Sequence, residues 1–262
     1  MLIKLLKYEF RAAFRELLTL YVALLGIASL LRPFYLYELS DSLVGIAAMV
    51  YGALIIAVLV VSCITIIQRF TKTMLGPEGY LMHTLPVSAS THILSKLITA
   101  MVIVIAGFMV ATLSMLIIAA DSSFFLLIRS LLDEIKAFWY ELFGENGFIL
   151  GMEILLLSLL QSAQNILLIY AAACIGHLAY RGRALISVMS YIVMSALLGE
   201  VVSLINGVLR TLIVGTDVTY GSYLSSYDSV YELLPSLITS LVLCIGLFCL
   251  VRYILENRLN LE

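Results

Sequence analysis

The chain has 262 residues, 63% of them hydrophobic and 12% charged, with a mean hydropathy of +1.10 and a formal net charge of −2. Soluble domains sit near about 45–50% apolar and about 25% charged, so this composition excludes an ordinary water-soluble globule of this length. The small net charge gives no electrostatic case for a nucleic-acid partner.

The four cysteines, Cys63, Cys174, Cys244 and Cys249, all lie inside apolar runs and form no CxxC pair. Neither a metal knuckle nor a redox dithiol is indicated, and they read as small core residues.

In chain order, Ile3, Leu6, Phe10, Ala13, Phe14 and Leu17 recur at helical spacing, and Lys4, Lys7, Arg11 and Arg15 fill another face. This pattern predicts a basic amphipathic helix over 1–16, suited to the headgroup layer of an anionic leaflet. A signal peptide is the rival reading, but Glu9 and Glu16 do not suit a short basic leader.

Six apolar runs follow, at 17–31, 43–67, 97–120, 148–179, 184–213 and 233–254. A span needs roughly 20 mostly apolar residues, and membrane strands are shorter and alternate. The expected fold is therefore an all-α integral membrane protein with six transmembrane helices, forming a single domain over 1–262.

Charge sets the expected orientation. With both ends inside, eleven of the fifteen Lys and Arg residues fall on inner segments and four on outer ones. The positive-inside rule favours that N-in, C-in arrangement.

Two outer segments carry their own pattern. Within 121–147, Phe124, Ile128, Leu131, Ile135, Phe138 and Leu142 share a helical face, Arg129 and Asp133 stand at i, i+4, and Trp139 and Tyr140 suit an interface. A helix on the outer membrane surface is expected there. Within 214–232, Tyr220, Tyr223, Tyr227 and Tyr231 form a stripe, read either as an aromatic belt anchor or as part of an outer gate.

The inner connection 68–96 is too polar to span. Gly76-Pro77 reads as a turn, and Glu78 to Thr84 as a short helix that Pro86 ends. Ser88 then caps a new helix running through Lys96 into the third span.

Tyr80-Leu81, Leu85-Pro86-Val87-Ser88 and Ser95-Lys96-Leu97 together resemble a signature of bacterial ABC transporter permease subunits of the type-two exporter class. The opening Lys7-Tyr8-Glu9-Phe10-Arg11 is similar to the start of such subunits, and the six-span layout agrees. The remaining spans match in topology and hydropathy only.

The resemblance implies a membrane-spanning subunit in the bacterial plasma membrane, surrounded by lipid and paired with an identical or related permease chain. A separate cytoplasmic ABC ATPase holds ATP and Mg, and this chain carries no cofactor. The ATPase-coupling positions carried over are Glu78, Gly79, Tyr80, Leu81, Leu85, Pro86, Val87 and Ser88, on a cytoplasmic coupling helix between spans two and three. The residue reading agrees in what it lacks. There is no GxxxxGK[ST] loop, no HExxH and no GxSxG, so the chain is not expected to be an enzyme.

Possible pathway or gate residues are Glu153, Gln161, Gln164, Asn165, Glu200, Tyr220, Tyr223 and Tyr227. Glu153 through Asn165 share a face of the fourth span, which suits packing between spans or a substrate path. Glu200 stands 17 positions beyond Arg183, roughly 25 Å along a helix, toward the outer side. Both carboxylates suit an outer vestibule attractive to a cationic peptide or drug, or simple snorkelling toward water. An ATP-independent secondary transporter or a membrane sensor stays open as the alternative.

Overall fold

The computed structural model describes residues 2–36, 41–76, 88–119, 129–130, 132–137, 140, 147–179, 182–213 and 228–257. These form six long helices: α1 (Leu2–Leu36), α2 (Asp41–Phe70), α3 (Ala89–Ala119), α4 (Gly147–His177), α5 (Arg183–Ile213) and α6 (Asp228–Asn257). Among the described residues there is no strand. All six helices are long and apolar enough to cross a membrane, the pattern of a multi-pass membrane protein.

Tertiary contacts gather the chain into two compact units, 1–129 and 130–262. In the first, α1 packs mainly on α3 and also on α2. The buried stripe of α1 is Ala13, Leu17, Tyr21, Leu24, Ala28 and Leu31, spaced by three or four residues. That stripe differs from the expectation for 1–16. The basic segment is not a separate element, because the packing face begins at Ala13 and carries one helix through to Leu36.

Polar contacts fix the register of this unit. Tyr21 donates to the carbonyl of Ile103 at 3.4 Å, and the Tyr51 and Ser114 hydroxyls lie 2.7 Å apart between α2 and α3. Inside hydrocarbon such bonds lack water as a competitor, which makes the pairing selective even though each typically contributes under about 2 kcal/mol.

The second unit is built on α4, which packs on α6 and on α5. The buried face of α4 holds Ile166, Leu167, Tyr170, Ala171 and Cys174, while large apolar side chains along α5 point outward. The α4–α5 corner is tight. Gly182 has φ +73°, a left-handed conformation that glycine adopts without steric cost. A Cβ at Gly176 would stand 1.8 Å from Ser187 Oγ and 2.7 Å from the Arg183 carbonyl, so α4 and α5 meet there at backbone distance.

Between α4, α5 and α6 run two further polar links. Thr239 Oγ1 lies 2.6 Å from Asn206 Oδ1 and 2.7 Å from the Pro235 carbonyl, with Thr239 almost fully buried. Cys244 Sγ reaches the Leu160 carbonyl at 3.4 Å. Residues 132–137 are helical and solvent-exposed, and Asp133 pairs with Lys136 at 3.8 Å. An ion pair so exposed contributes little to stability.

Candidate functional site

A cluster of paired charges in the first unit lies where α1, α2 and α3 meet, at the two roots of the 68–96 connection. The first root is the end of α2. Its apolar run stops at Ile67, and the helix widens into a π-helical turn over Thr71–Leu75. Two threonines satisfy carbonyls of the preceding turn: Thr71 Oγ1 donates toward the Ile67 and Gln68 carbonyls, and Thr73 Oγ1 to that of Arg69 at 2.5 Å. Phe70, Met74 and Leu75 are buried and anchor the turn. A π-turn is uncommon and is frequently found beside functional segments.

The second root is the start of α3. The Ser88 carbonyl accepts the Thr91 N–H at 2.9 Å and the His92 N–H at 3.4 Å, which opens the helix at the expected place. Its hydroxyl bonds to the Ser90 and Thr91 hydroxyls at 3.0 and 2.8 Å, so the side chain joins a hydroxyl cluster. From Ala89 one helix runs into the third span, as the sequence predicts. His92, Ile93, Ser95 and Lys96 are buried against the unit.

Glu9 of α1 joins these roots. Its Oε1 lies 2.5 Å from Lys96 Nζ, and its Oε2 lies 3.4 Å from the Arg69 guanidinium. Arg69 also donates to the Glu9 carbonyl at 3.2 Å and reaches Glu16 at 3.5 Å. The Lys96 side chain is 3% exposed, Glu9 12% and Arg69 17%, whereas Glu16 is 58% exposed. Charges so buried are tolerated only when paired, because desolvation of a lone ion costs several kcal/mol (about that much per ion after relaxation). One carboxylate therefore holds the base of α2 and the base of α3 on the same helix. Beside this knot a groove of about 420 Å³ opens between α1 and the end of α2, lined by Tyr8, Glu9, Glu16, Gln68, Arg69 and Lys72 among others.

Of the coupling positions, Ser88 is described and exposed, while Glu78, Gly79, Tyr80, Leu81, Leu85, Pro86 and Val87 lie outside the described residues. So do the gate candidates Tyr220, Tyr223 and Tyr227. The stripe on α4 is not part of the buried α4 face: Gln161 and Asn165 are exposed, and Gln164 and Glu153 half-buried. Glu153 Oε2 is nonetheless buried and has no hydrogen-bond partner among the described residues. Glu200 is exposed on α5. Among the described residues no group of His, Cys, Asp and Glu has metal-holding geometry.

Sequence reasoning assigned no site role to Glu9 or Arg69. The available signal was an acidic residue set among the basic residues of the first helix, with Glu9 one position from Tyr8 and two from Lys7 and Arg11. The structure brings Glu9, from the opening segment of the resemblance, against Lys96, from the end of its loop signature. Comparison of the chain with protein-family models, with curated proteins and with solved structures finds no match.

Proposed function

We propose that this chain is the membrane-spanning subunit of an ATP-driven exporter of the type-two class, working with a second permease chain and a separate cytoplasmic ATPase. In this reading both termini and the 68–96 connection face the bacterial cytoplasm, and the connection is where the ATPase docks. The observation that carries it is the Glu9 bridge: a loop that receives force from a soluble partner needs both roots fixed to the membrane body, and Glu9 fixes Arg69 and Lys96 to α1. A loose linker would dissipate the motion of the motor; a pinned one passes it to α1, α2 and α3 together.

The distribution of Lys and Arg supports the orientation. The resemblance of Tyr80-Leu81, Leu85-Pro86-Val87-Ser88 and Ser95-Lys96-Leu97 supports the assignment of the partner.

The experiment is affinity purification of the tagged chain from its native host in mild detergent, followed by identification of what travels with it. An ATPase subunit is expected to co-purify with the wild-type chain and to be lost with the triple variant Tyr80→Ala, Leu81→Ala, Pro86→Ala. Undiminished ATPase recovery with that variant would remove the docking assignment.

A further inference from the structure

In the second unit, α4 packs against both α5 and α6. From Leu157 to His177 its exposed residues are Ser158, Gln161 and Asn165 alone. Their spacing by three and four puts them on one line of the helix. All three are polar. A helix side turned to lipid shows apolar residues, as α5 does with Leu197, Leu204 and Val208.

The same line continues to Ala172 and Gly176, seven and eleven positions beyond Asn165. There α5 covers it: Ser190 Oγ lies 3.4 Å from the Ala172 carbonyl, and a Cβ at Gly176 would meet Ser187 and Arg183. From Asn165 back to Ser158 the line is open among the described residues.

The depth of this opening decides what can fill it. Gln161 stands fourteen positions past Gly147 and sixteen before His177, more than about 20 Å along the helix from either end. Among the described residues neither the Gln161 nor the Asn165 amide has a hydrogen-bond partner. An amide left unpaired in hydrocarbon is unfavourable. The apolar runs of α1, α2 and α3 contain no amide and no charged side chain, and that of α6 holds only Arg252. On α5, Asn206 is bonded to Thr239, and Glu200, thirteen positions beyond Ser187, falls about 140° round the helix from it, on the side away from α4. No helix of this chain therefore offers a surface that pairs the two amides.

We infer that Ser158, Gln161 and Asn165 line a water-filled cleft at mid-membrane, closed at one end by the α4–α5 corner. Water supplies the donors and acceptors that neither lipid nor the chain's own helices provide. On the exporter reading, on which its use rests, the cleft is a stretch of the translocation path and its cargo is a polar, hydrogen-bonding solute. Amides serve such a solute as donor and acceptor alike, and an apolar cargo finds no matching surface on this line.

The test measures water contact in the full chain, freed of its native cysteines and reconstituted in nanodiscs. Gln161→Cys and Asn165→Cys are compared with Ile245→Cys. Ile245 is 56% exposed on α6 and level with Gln161, because Cys244 Sγ meets the Leu160 carbonyl. The reagent is methyl methanethiosulfonate, which is small and uncharged and enters lipid as well as water, so its rate reports ionisation of the thiol. Only the thiolate reacts, and each unit by which apolar surroundings raise a thiol pKa removes it about tenfold. Gln161→Cys and Asn165→Cys are expected to react at least about tenfold faster than Ile245→Cys. Rates equal to that control would mean lipid or a packed helix on the line and would overturn the cleft. Copper-catalysed disulfides between two chains at Asn165→Cys would assign the line to a second copy and overturn it likewise. Should either variant not fold, Ser158→Cys, which exchanges only a hydroxyl for a thiol, carries the same expectation. Recovery of an ATPase has no bearing on these rates, so the cleft and the exporter reading fail separately.

Discussion

Glu9 Oε1 lies 2.5 Å from Lys96 Nζ, a buried ion pair that closes 87 positions of chain onto α1. Removing one member of such a pair strands the other in a poorly solvated place. Glu9→Gln and Lys96→Met are each expected to destabilise the first unit by about 3–5 kcal/mol. The charge-swapped chain, Glu9→Lys with Lys96→Glu, is expected to recover part of the loss, since the attraction returns while Arg69 is left facing a cation. Unfolding in mixed micelles, followed by loss of helical signal, measures all three. A swapped chain no more stable than the weaker of the two single variants would mean that the two residues do not stabilise each other.

Arg69 sits between two carboxylates of unequal burial, and this predicts a graded response. Glu16 is mostly exposed and 3.5 Å from the guanidinium, so Glu16→Gln is expected to change stability by no more than about 1 kcal/mol. Glu9 is the more deeply held partner, at 12% exposure. Raising ionic strength is therefore expected to leave the Glu9 contribution largely intact and to erase that of Glu16, because screening acts on solvated pairs. The same micellar unfolding measured from low to high salt distinguishes the two. Equal salt sensitivity of the two variants would contradict the burial difference.

The corner between α4 and α5 depends on one missing methyl. At Gly176 an added Cβ meets Ser187 Oγ at 1.8 Å and the Arg183 carbonyl at 2.7 Å. The serine can move; the carbonyl belongs to the backbone of α5 and cannot move without shifting the helix. Gly176→Ala is expected to cost about 1–3 kcal/mol, and adding Ser187→Gly to relieve only part of it. Gly199→Ala on α5, where nothing lies within 4 Å of the new Cβ, is expected to be neutral or mildly stabilising. Thermal aggregation temperatures of the purified variants rank them, and full recovery in the Gly176, Ser187 double variant would show that the carbonyl contact is not limiting.

What was legible in the sequence was set by hydropathy. Runs of apolar residues long enough to span marked all six helices, α2, α4, α5 and α6 within five positions of their observed limits, whereas α1 begins fifteen positions before its run and α3 eight. Ser88 marked the start of α3 because a hydroxyl residue after Pro86 suits a helix N-terminus. Periodicity misled in one place. The face of Phe10 and Phe14 with the basic residues between them looked complete at residue 16, yet Ala13 and Leu17 already belong to the stripe that continues to Leu31. An amphipathic pattern says that a helix has two faces and does not say where it ends. The knot of Glu9, Arg69 and Lys96 was not readable for a different reason. Its members are separated by 60 and 87 positions, and no local rule selects one carboxylate of seventeen as the partner of two distant cations.

Ser88 offers a direct test of which side of the membrane holds the 68–96 connection. It is exposed at the start of α3 and lies eight positions before the buried Lys96. The native thiols Cys63, Cys174, Cys244 and Cys249 are first replaced by serine or alanine, which leaves no competing thiol. In right-side-out vesicles Ser88→Cys is expected to resist a membrane-impermeant maleimide, and to react once the inner face is opened by sonication. The physical basis is that Arg69 and Lys96 flank this segment, and moving the connection outward would carry both of these cations across, against the bias that places eleven of fifteen Lys and Arg on the same side. Labelling of intact vesicles at Ser88→Cys would place the loop outside. An ATP-driven subunit on the inner face would then have no contact with it, and the Glu9 bridge would be a stabilising element of the fold alone.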